Sequence, residues 1–319
     1  MIARVAVMDR DALVLAAAAG DAPTVRKLLA EGVSPDPIWD DRARAQAAVA
    51  HAGLTADLIA DTDPETAAAL REAMAMTDPG AHDLPPADRI ALFAAVDSDS
   101  PEVVRALLAA GCDPLVRDSQ ERTALFRCAS EPVGRLLLAA GLSVQDVDRF
   151  GWTSLVANLD SIERVRVLLA LGSDPDATFD QGYTVFMAAA GDSERSPEVM
   201  RAIRDAGADI HAVSELGYNA WHAAIDVNGV ANDRESVRVT FALLREWGVD
   251  LEQRTNGGST PLHRALVFGT AIEVEELCAV GADARATGPD GVTPLVRTAE
   301  QVGVAPQAKV EALRAAGAA

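Results

Sequence analysis

Residues 260–265 read Thr260-Pro261-Leu262-His263-Arg264-Ala265, and residues 274–283 read Val274-Glu275-Glu276-Leu277-Cys278-Ala279-Val280-Gly281-Ala282-Asp283. Thr260 is a favourable helix cap, and Pro261 is tolerated in a first helical turn because its missing N–H would have had no partner there. Gly281 suits the left-handed turn that ends a helix, which a side chain with a Cβ resists. The stretch therefore predicts two short helices closed by a turn.

The same pattern recurs along the chain. The glycines that end the second helices are Gly32, Gly111, Gly141, Gly172, Gly207, Gly248, Gly281 and Gly317. After a first interval of 79 residues, the intervals lie between 30 and 41 residues. The third residue of each first helix is large and apolar, which predicts a buried ladder of Leu92, Leu125, Leu155, Phe186, Trp221, Leu262 and Leu295.

This repetition resembles the ankyrin repeat, whose T-P-L-H-x-A motif recurs about every 33 residues. The resemblance covers residues 11–32 and 88–319, although only Thr260–Ala265 keeps the full motif and Gln120-Glu121 stands where a turn glycine is usual. The resemblance implies an all-α ankyrin-repeat solenoid of about eight or nine helix-turn-helix repeats.

We expect one ankyrin-repeat domain over residues 1–319. Its predicted parts are a first repeat at 11–37, a degenerate repeat or helical insertion at 38–87, regular repeats at 88–292 and a C-terminal capping repeat at 293–319. The long first interval holds two predicted helices, at 40–60 and 64–76, which we interpret as a degenerate repeat in preference to an inserted hairpin. A smaller insertion at Val227–Glu235 is expected to protrude.

Composition restricts the possible partners. The 319 residues are 49% apolar and only 4% aromatic, and they carry a net charge of -20. Nucleic acid and anionic membranes would be repelled, so a basic protein is favoured, while solubility alone is an equally good reason for the acidity. The excess of arginine over lysine, with abundant Ala and Asp, is typical of a GC-rich bacterial genome.

Cys112, Cys128 and Cys278 are widely spaced and odd in number, which predicts neither a disulfide framework nor a zinc site. The apolar run at residues 12–19 falls in register with the repeats, which disfavours a signal peptide, and no run is long enough to span a membrane. We therefore expect a cytoplasmic protein in a reducing compartment.

No catalytic or nucleotide-binding motif occurs, and stacked repeats build an extended surface without a deep central pocket. We therefore expect no enzymatic activity, no catalytic residue, no metal and no cofactor. His222 and His263 occupy equivalent positions, where the imidazole is expected to brace the helix start, the alternative being a metal-ligand pair. An enzyme site at 33–87 using His51 and His82 is a further alternative.

The resemblance also implies a binding face. In ankyrin repeats the turn before each first helix carries a D-x-x-G-x-T pattern whose variable positions point to that face. Here those positions are Arg149, Phe150, Trp152, Asp180, Gln181, Tyr183, Glu215, Leu216 and Tyr218. We expect Trp152, Tyr183 and Tyr218 to form an aromatic row that binds a partner, the alternative being that each ring packs on the turn below it.

The favoured function is a monomeric, non-enzymatic module that grips a basic protein on an acidic concave surface studded with aromatic residues. An inhibitor or immunity protein that masks a basic toxin is one such module. A scaffold that bridges two partners is the third alternative, and it predicts two separable binding surfaces.

Overall fold

A computed structural model describes residues 11–36, 90–191, 196–225, 234–288, 291–294, 296 and 304–318 of the chain. The chain divides into two compact units, Met1–Phe150 and Gly151–Ala319. The predicted helices at 40–60 and 64–76, His51, His82 and most of the predicted insertion at Val227–Glu235 lie outside the described residues. The predicted domain boundaries and the number of repeats stay predictions.

The first unit consists of helices joined by short turns. The helices are residues 11–18, Ala22–Ala30, Ala91–Asp97, Pro101–Ala109 and Glu131–Ala139, with a 3₁₀ helix at Ala124–Arg127. The second helices stack on one another, so that Pro101–Ala109 packs against Glu131–Ala139. The shortened helix at Ala124–Arg127 reflects a short repeat, since the next helix already begins at Glu131.

The second unit continues the same plan. Its helices are Ile162–Ala170, Val185–Gly191, Pro197–Asp205, Ala220–Ala223, Arg234–Glu246, Pro261–Val267, Ala271–Ala279 and Val304–Ala315, with a 3₁₀ helix at Val156–Asn158. Two strands, Thr178–Phe179 and Tyr183–Thr184, form an antiparallel hairpin in which Phe179 faces Tyr183. The Val304–Ala315 helix packs on Ala271–Ala279, where the Lys309 ammonium lies 3.2 and 2.9 Å from two carbonyl oxygens at the end of helix Pro261–Val267.

The glycines predicted to end the second helices are confirmed in that role. All eight glycines, from Gly32 to Gly317, have φ between 73° and 105°, in the left-handed region. Thr260 caps its helix by accepting from the N–H of His263, as Asn219 does for the N–H of His222. Local sequence thus determines where each helix begins and ends.

The predicted ladder forms the core of each unit. Its members Leu92, Leu125, Leu155, Phe186, Trp221 and Leu262 are 0 to 1% exposed. Trp221 also donates its indole N–H to the Val249 carbonyl at 3.0 Å, so the largest buried ring has its polar atom satisfied. Leu295 lies outside the described residues.

Two helices far apart in sequence are direct neighbours in the first unit. Helix Ala22–Ala30 packs against Pro101–Ala109, and the Asp113 N–H donates to the Asp36 carboxylate at 2.8 Å. Equivalent bonds run from Asp209 to Asp176 and from Asp283 to Glu252, between repeats that are adjacent in sequence. Residues 11–36 and 90–113 therefore make the contacts of adjacent repeats.

Candidate functional site

Where the structure describes them, the turns before the first helices share one backbone feature, a residue in the left-handed conformation. In the hairpin turn, Gln181 and Gly182 both adopt left-handed conformations, with φ of 58° and 77°. In an earlier turn Glu121 takes the same conformation, with φ of 62°, where the sequence lacks the usual glycine. The backbone of the turn is thus kept even where the residue type departs from the pattern, at a cost in strain for a residue with a Cβ.

Successive turns are joined through their main chains. The Arg149 N–H donates to the Gln120 carbonyl at 3.0 Å in the first unit. In the second unit the Glu215 N–H donates to the Gln181 carbonyl and the Asn256 N–H to the Leu216 carbonyl, each at 2.9 Å.

Gly217 shows how closely two turns approach. Its φ is 81°, and a Cβ on it would lie 2.7 Å from the Asn256 nitrogen and 2.8 Å from the Thr255 Cα. Only glycine fits this position without a shift of the neighbouring backbone.

Four aromatic rings form a continuous row along these turns in the second unit. Centroid distances are 6.3 Å from Trp152 to Phe179, 6.1 Å from Phe179 to Tyr183 and 6.3 Å from Tyr183 to Tyr218. The interplanar angles of 68°, 56° and 76° are those of edge-to-face and tilted contacts. The three predicted rings are therefore brought together, with Phe179 as an unpredicted link between two of them.

The row is accessible to a partner. Trp152 is 38% exposed and Leu216 is 43% exposed, while Phe179, Tyr183 and Tyr218 are half-buried. Each ring thus rests on its neighbours while keeping part of its surface in water. In the first unit, Phe150 is 54% exposed and the Arg149 guanidinium carbon lies 4.8 Å from its ring centroid.

A cation occupies one end of the row. The Arg264 guanidinium carbon lies 5.0 Å from the Tyr218 centroid and 5.6 Å from that of Phe268, which is 52% exposed. Burial raises the pKa of Tyr183, and the nearby Arg264 charge acts in the opposite direction. The phenol of Tyr183 therefore stays protonated, as a hydrogen-bond donor, at neutral pH.

The polar residues predicted for this face lie on the same turns. Asp180, Gln181 and Glu215 are all exposed. Asp180 separates Phe179 from Tyr183 along the chain, and Glu215 immediately follows Ser214 at the start of the next turn. Two exposed carboxylates thus lie on the turns that carry the row.

His222 and His263 brace the helix starts, as predicted. The His263 Nδ1 lies 2.8 Å from the Thr260 hydroxyl, and the His222 Nδ1 lies 2.9 Å from the Asn219 side-chain oxygen. The His222 Nε2 also lies 3.3 Å from the Ser259 carbonyl oxygen in the next repeat. Burial lowers the pKa of His222 to about 4, and the Ser259 contact opposes that shift.

The part of the chain that the structure describes offers few features for metal binding, membrane insertion or nucleophilic catalysis. There, no three His, Cys, Asp or Glu side chains gather as a metal site, and no helix has the length and apolar character needed to cross a bilayer. The cysteines are free thiols, and burial raises the pKa of Cys278 to about 11 and that of Cys112 further. Neither thiol is a reactive nucleophile at neutral pH.

Sequence reasoning missed Phe179, Arg264 and Phe268 in this surface. Phe179 occupies the first position of the turn pattern, where Asp is usual, and this departure was the available signal. Arg264 is the variable residue of the T-P-L-H-x-A motif, one turn of helix after Thr260. Its contact with Tyr218 depends on how adjacent repeats stack, which the motif does not specify.

Comparisons with known proteins agree on the type of repeat. Residues 88–119 match the family model of the ankyrin repeat. No curated protein matches the chain. The crystal structure of the ankyrin repeat domain of Bcl-3, a unique member of the IκB protein family, is similar with a TM-score of 0.52 and 23% identity, covering 70% of this chain and 97% of that one. An ankyrin repeat domain from Acinetobacter baumannii AYE has a TM-score of 0.45 and 25% identity, covering 60% and 98%.

Proposed function

We propose that this chain, which has the ankyrin-repeat fold that its sequence predicts, grips a basic protein through the aromatic row and the carboxylates beside it. Ankyrin repeats are protein–protein interaction modules. The observation that carries the proposal is the row of partly exposed rings from Trp152 to Tyr218. Aromatic side chains anchor interfaces because they bury much area and lose little rotamer freedom. The proposed contact residues are Arg149, Phe150, Trp152, Asp180, Gln181, Tyr183, Glu215, Leu216 and Tyr218.

Charge supports a basic partner. The chain carries a net charge of -20, and Asp180 and Glu215 are exposed on the turns that carry the rings. Complementary charge speeds encounter and selects against acidic partners, while the desolvated rings supply affinity. An inhibitor or immunity protein for a basic toxin needs both the fast association and the high affinity that these features provide. The free thiols support a partner met in a reducing compartment such as the cytosol.

Affinity capture from a lysate of the source organism tests the proposal. The wild-type chain is expected to retain a specific basic protein at low salt and to release part of it as salt is raised. The triple variant Trp152→Ala, Tyr183→Ala, Tyr218→Ala is expected to lose that protein, because a central anchor contributes about 2 kcal/mol or more.

A matched control is Leu15→Ala with Leu115→Ala, since these side chains are 69% and 55% exposed and belong to the first unit. The control is expected to retain the partner. Equal retention by wild type and the triple variant, with both chains folded by circular dichroism, would rule out the aromatic row as the binding surface.

A further inference from the structure

We propose that the partner contacts this surface with an arginine, whose guanidinium lies against the rings of Trp152, Phe179 and Tyr183 with Asp180 as its counter-charge. This inference rests on the proposed function and adds the chemistry of the group that the surface recognises.

The three rings form an angled surface. Trp152 and Phe179 meet at 68°, and Phe179 and Tyr183 meet at 56°, so the ring planes do not lie in one sheet. A flat guanidinium placed there can face one ring while its edge meets another. A cation within about 6 Å of a ring centroid is attracted by the negative face of the ring.

The chain itself pairs arginine with aromatic rings repeatedly. The guanidinium carbon lies 4.4 Å from the centroid for Arg204 on Trp247, 4.8 Å for Arg149 on Phe150 and 5.0 Å for Arg264 on Tyr218. These contacts all involve a planar, weakly hydrated cation that stacks more readily than a lysine ammonium. These contacts show, on this chain, the distances at which a guanidinium packs against an aromatic ring.

The internal cation directs the incoming one to the opposite end of the row. Arg264 covers Tyr218 and its charge also acts on the Tyr183 phenol, whereas among the described residues no cation lies over the ring face of Phe179 or Tyr183. Asp180 is exposed, stands between these two residues in the hairpin turn and belongs to no ion pair within the described part of the chain. An exposed carboxylate on the turn that joins two rings with uncovered faces is complementary to one arginine side chain.

The test uses the full chain and three blocked hexapeptides: hexa-arginine, hexa-lysine and hexa-citrulline. Binding is measured by isothermal titration at about 150 mM salt, where the general attraction of the acidic chain for any cation is screened. We expect hexa-arginine to bind about fivefold more tightly than hexa-lysine, since ring stacking favours the guanidinium. Uncharged hexa-citrulline is expected not to bind.

Variants locate the preference. Phe179→Leu and Tyr183→Leu are expected to reduce the arginine-to-lysine ratio to about one, while Phe179→Tyr and Tyr183→Phe, which keep a ring, are expected to preserve it. Asp180→Asn is expected to weaken both cationic peptides. A leucine variant could lose stability as well as its ring. The ring-preserving variants separate the two effects, because the arginine-to-lysine binding ratio is expected to depend on the presence of the ring and not on the melting temperature of the variant.

Equal binding of hexa-arginine and hexa-lysine, absence of binding by both, or a preference that survives Phe179→Leu and Tyr183→Leu would each overturn the inference. If the captured partner is lost by the triple variant but arginine is not preferred, the inference fails while the proposed function stands. If arginine is preferred but the triple variant keeps its partner, the proposed function and the inference that rests on it both fail.

Discussion

Acid is expected to destabilise the second unit through His222. The side chain is fully buried beside Asn219 and Ser259, and burial lowers its pKa to about 4 from the ordinary 6.5. A group with a lowered pKa in the folded state binds more protons when the chain is unfolded. The stability that neutral His222 contributes is therefore complete above pH 6.5 and is lost as pH falls towards 4.

The magnitude follows from the two pKa values. Linkage gives a loss of about 2 kcal/mol by pH 5 and about 3 kcal/mol by pH 4 relative to neutral pH. Measurements should stop near pH 5, because the chain has a pI near 4.6 and will lose its net charge and its solubility there. A difference of about 2 kcal/mol is well within reach of urea titrations.

The assay compares wild type with His222→Gln in urea unfolding at pH 7.5, 6.5, 5.5 and 5.0, followed by tryptophan fluorescence. The variant is expected to be less stable at pH 7.5, because it loses the brace to the next repeat, but to show a shallower decline in acid. NMR titration of the imidazole protons should show His222 largely uncharged at pH 5.

Parallel pH profiles for wild type and His222→Gln would refute this reasoning. So would an imidazole of His222 that titrates near 6.5. Both ring nitrogens of His222 face oxygen atoms, at 2.9 and 3.3 Å, and either result would mean that these acceptors stabilise the cation enough to cancel the effect of burial.

Three further predictions concern the fold. Gly217→Ala should lower the free energy of unfolding, measured by thermal unfolding, by about 3 kcal/mol. Gly207 is also left-handed but has open space at the Cβ position, so Gly207→Ala should lower it by about 1 kcal/mol. Similar losses for the two variants would contradict the close approach of the turns. Lys309→Met should lower the free energy of unfolding by roughly 1–2 kcal/mol and speed amide exchange in helix Pro261–Val267, because the ammonium no longer contacts two carbonyl oxygens of that helix. Unchanged exchange would show that these contacts do not stabilise the helix. Deleting residues 40–80 should leave the cooperative unfolding of the remaining repeats unchanged; its loss would show that those residues support the stack.

Much of the fold could be predicted from the sequence because its rules are local. A glycine that ends a helix, such as Gly281, and a threonine that starts one, such as Thr260, act within a few residues of themselves. The burial of Leu262 and Trp221 follows as directly, since both occupy the third position of a first helix. Repetition then turned these weak local signals into a specific prediction.

The relation between the early repeats could not be read in the same way. The length between Gly32 and Gly111 is compatible with a degenerate repeat, which the sequence favoured, or with an insertion. The hydrogen bond from Asp113 to Asp36 depends on which repeats are neighbours in space. Spacing along the chain carries no signal for that.

The candidate surface likewise has a part that the sequence pattern predicts and a part that depends on contacts between repeats. Trp152, Tyr183 and Tyr218 share one position in the turn pattern, so their alignment was predictable from register alone. The contacts of Phe179 with Trp152 and of Arg264 with Tyr218 join residues at different positions of the pattern, and they arise from packing between neighbouring repeats. Whether these residues bind a partner stays a prediction.

The main-chain bonds between successive turns, from Glu215 to Gln181 and from Asn256 to Leu216, have an evolutionary consequence. Backbone atoms align one turn with the next, with one added bond from the Asn256 side-chain amide to the Glu215 carbonyl at 2.7 Å, so tip side chains such as Gln181 and Leu216 can change while the alignment stays. Mutation can exchange those side chains freely, so a lineage can acquire a new specificity without first having to rebuild its scaffold.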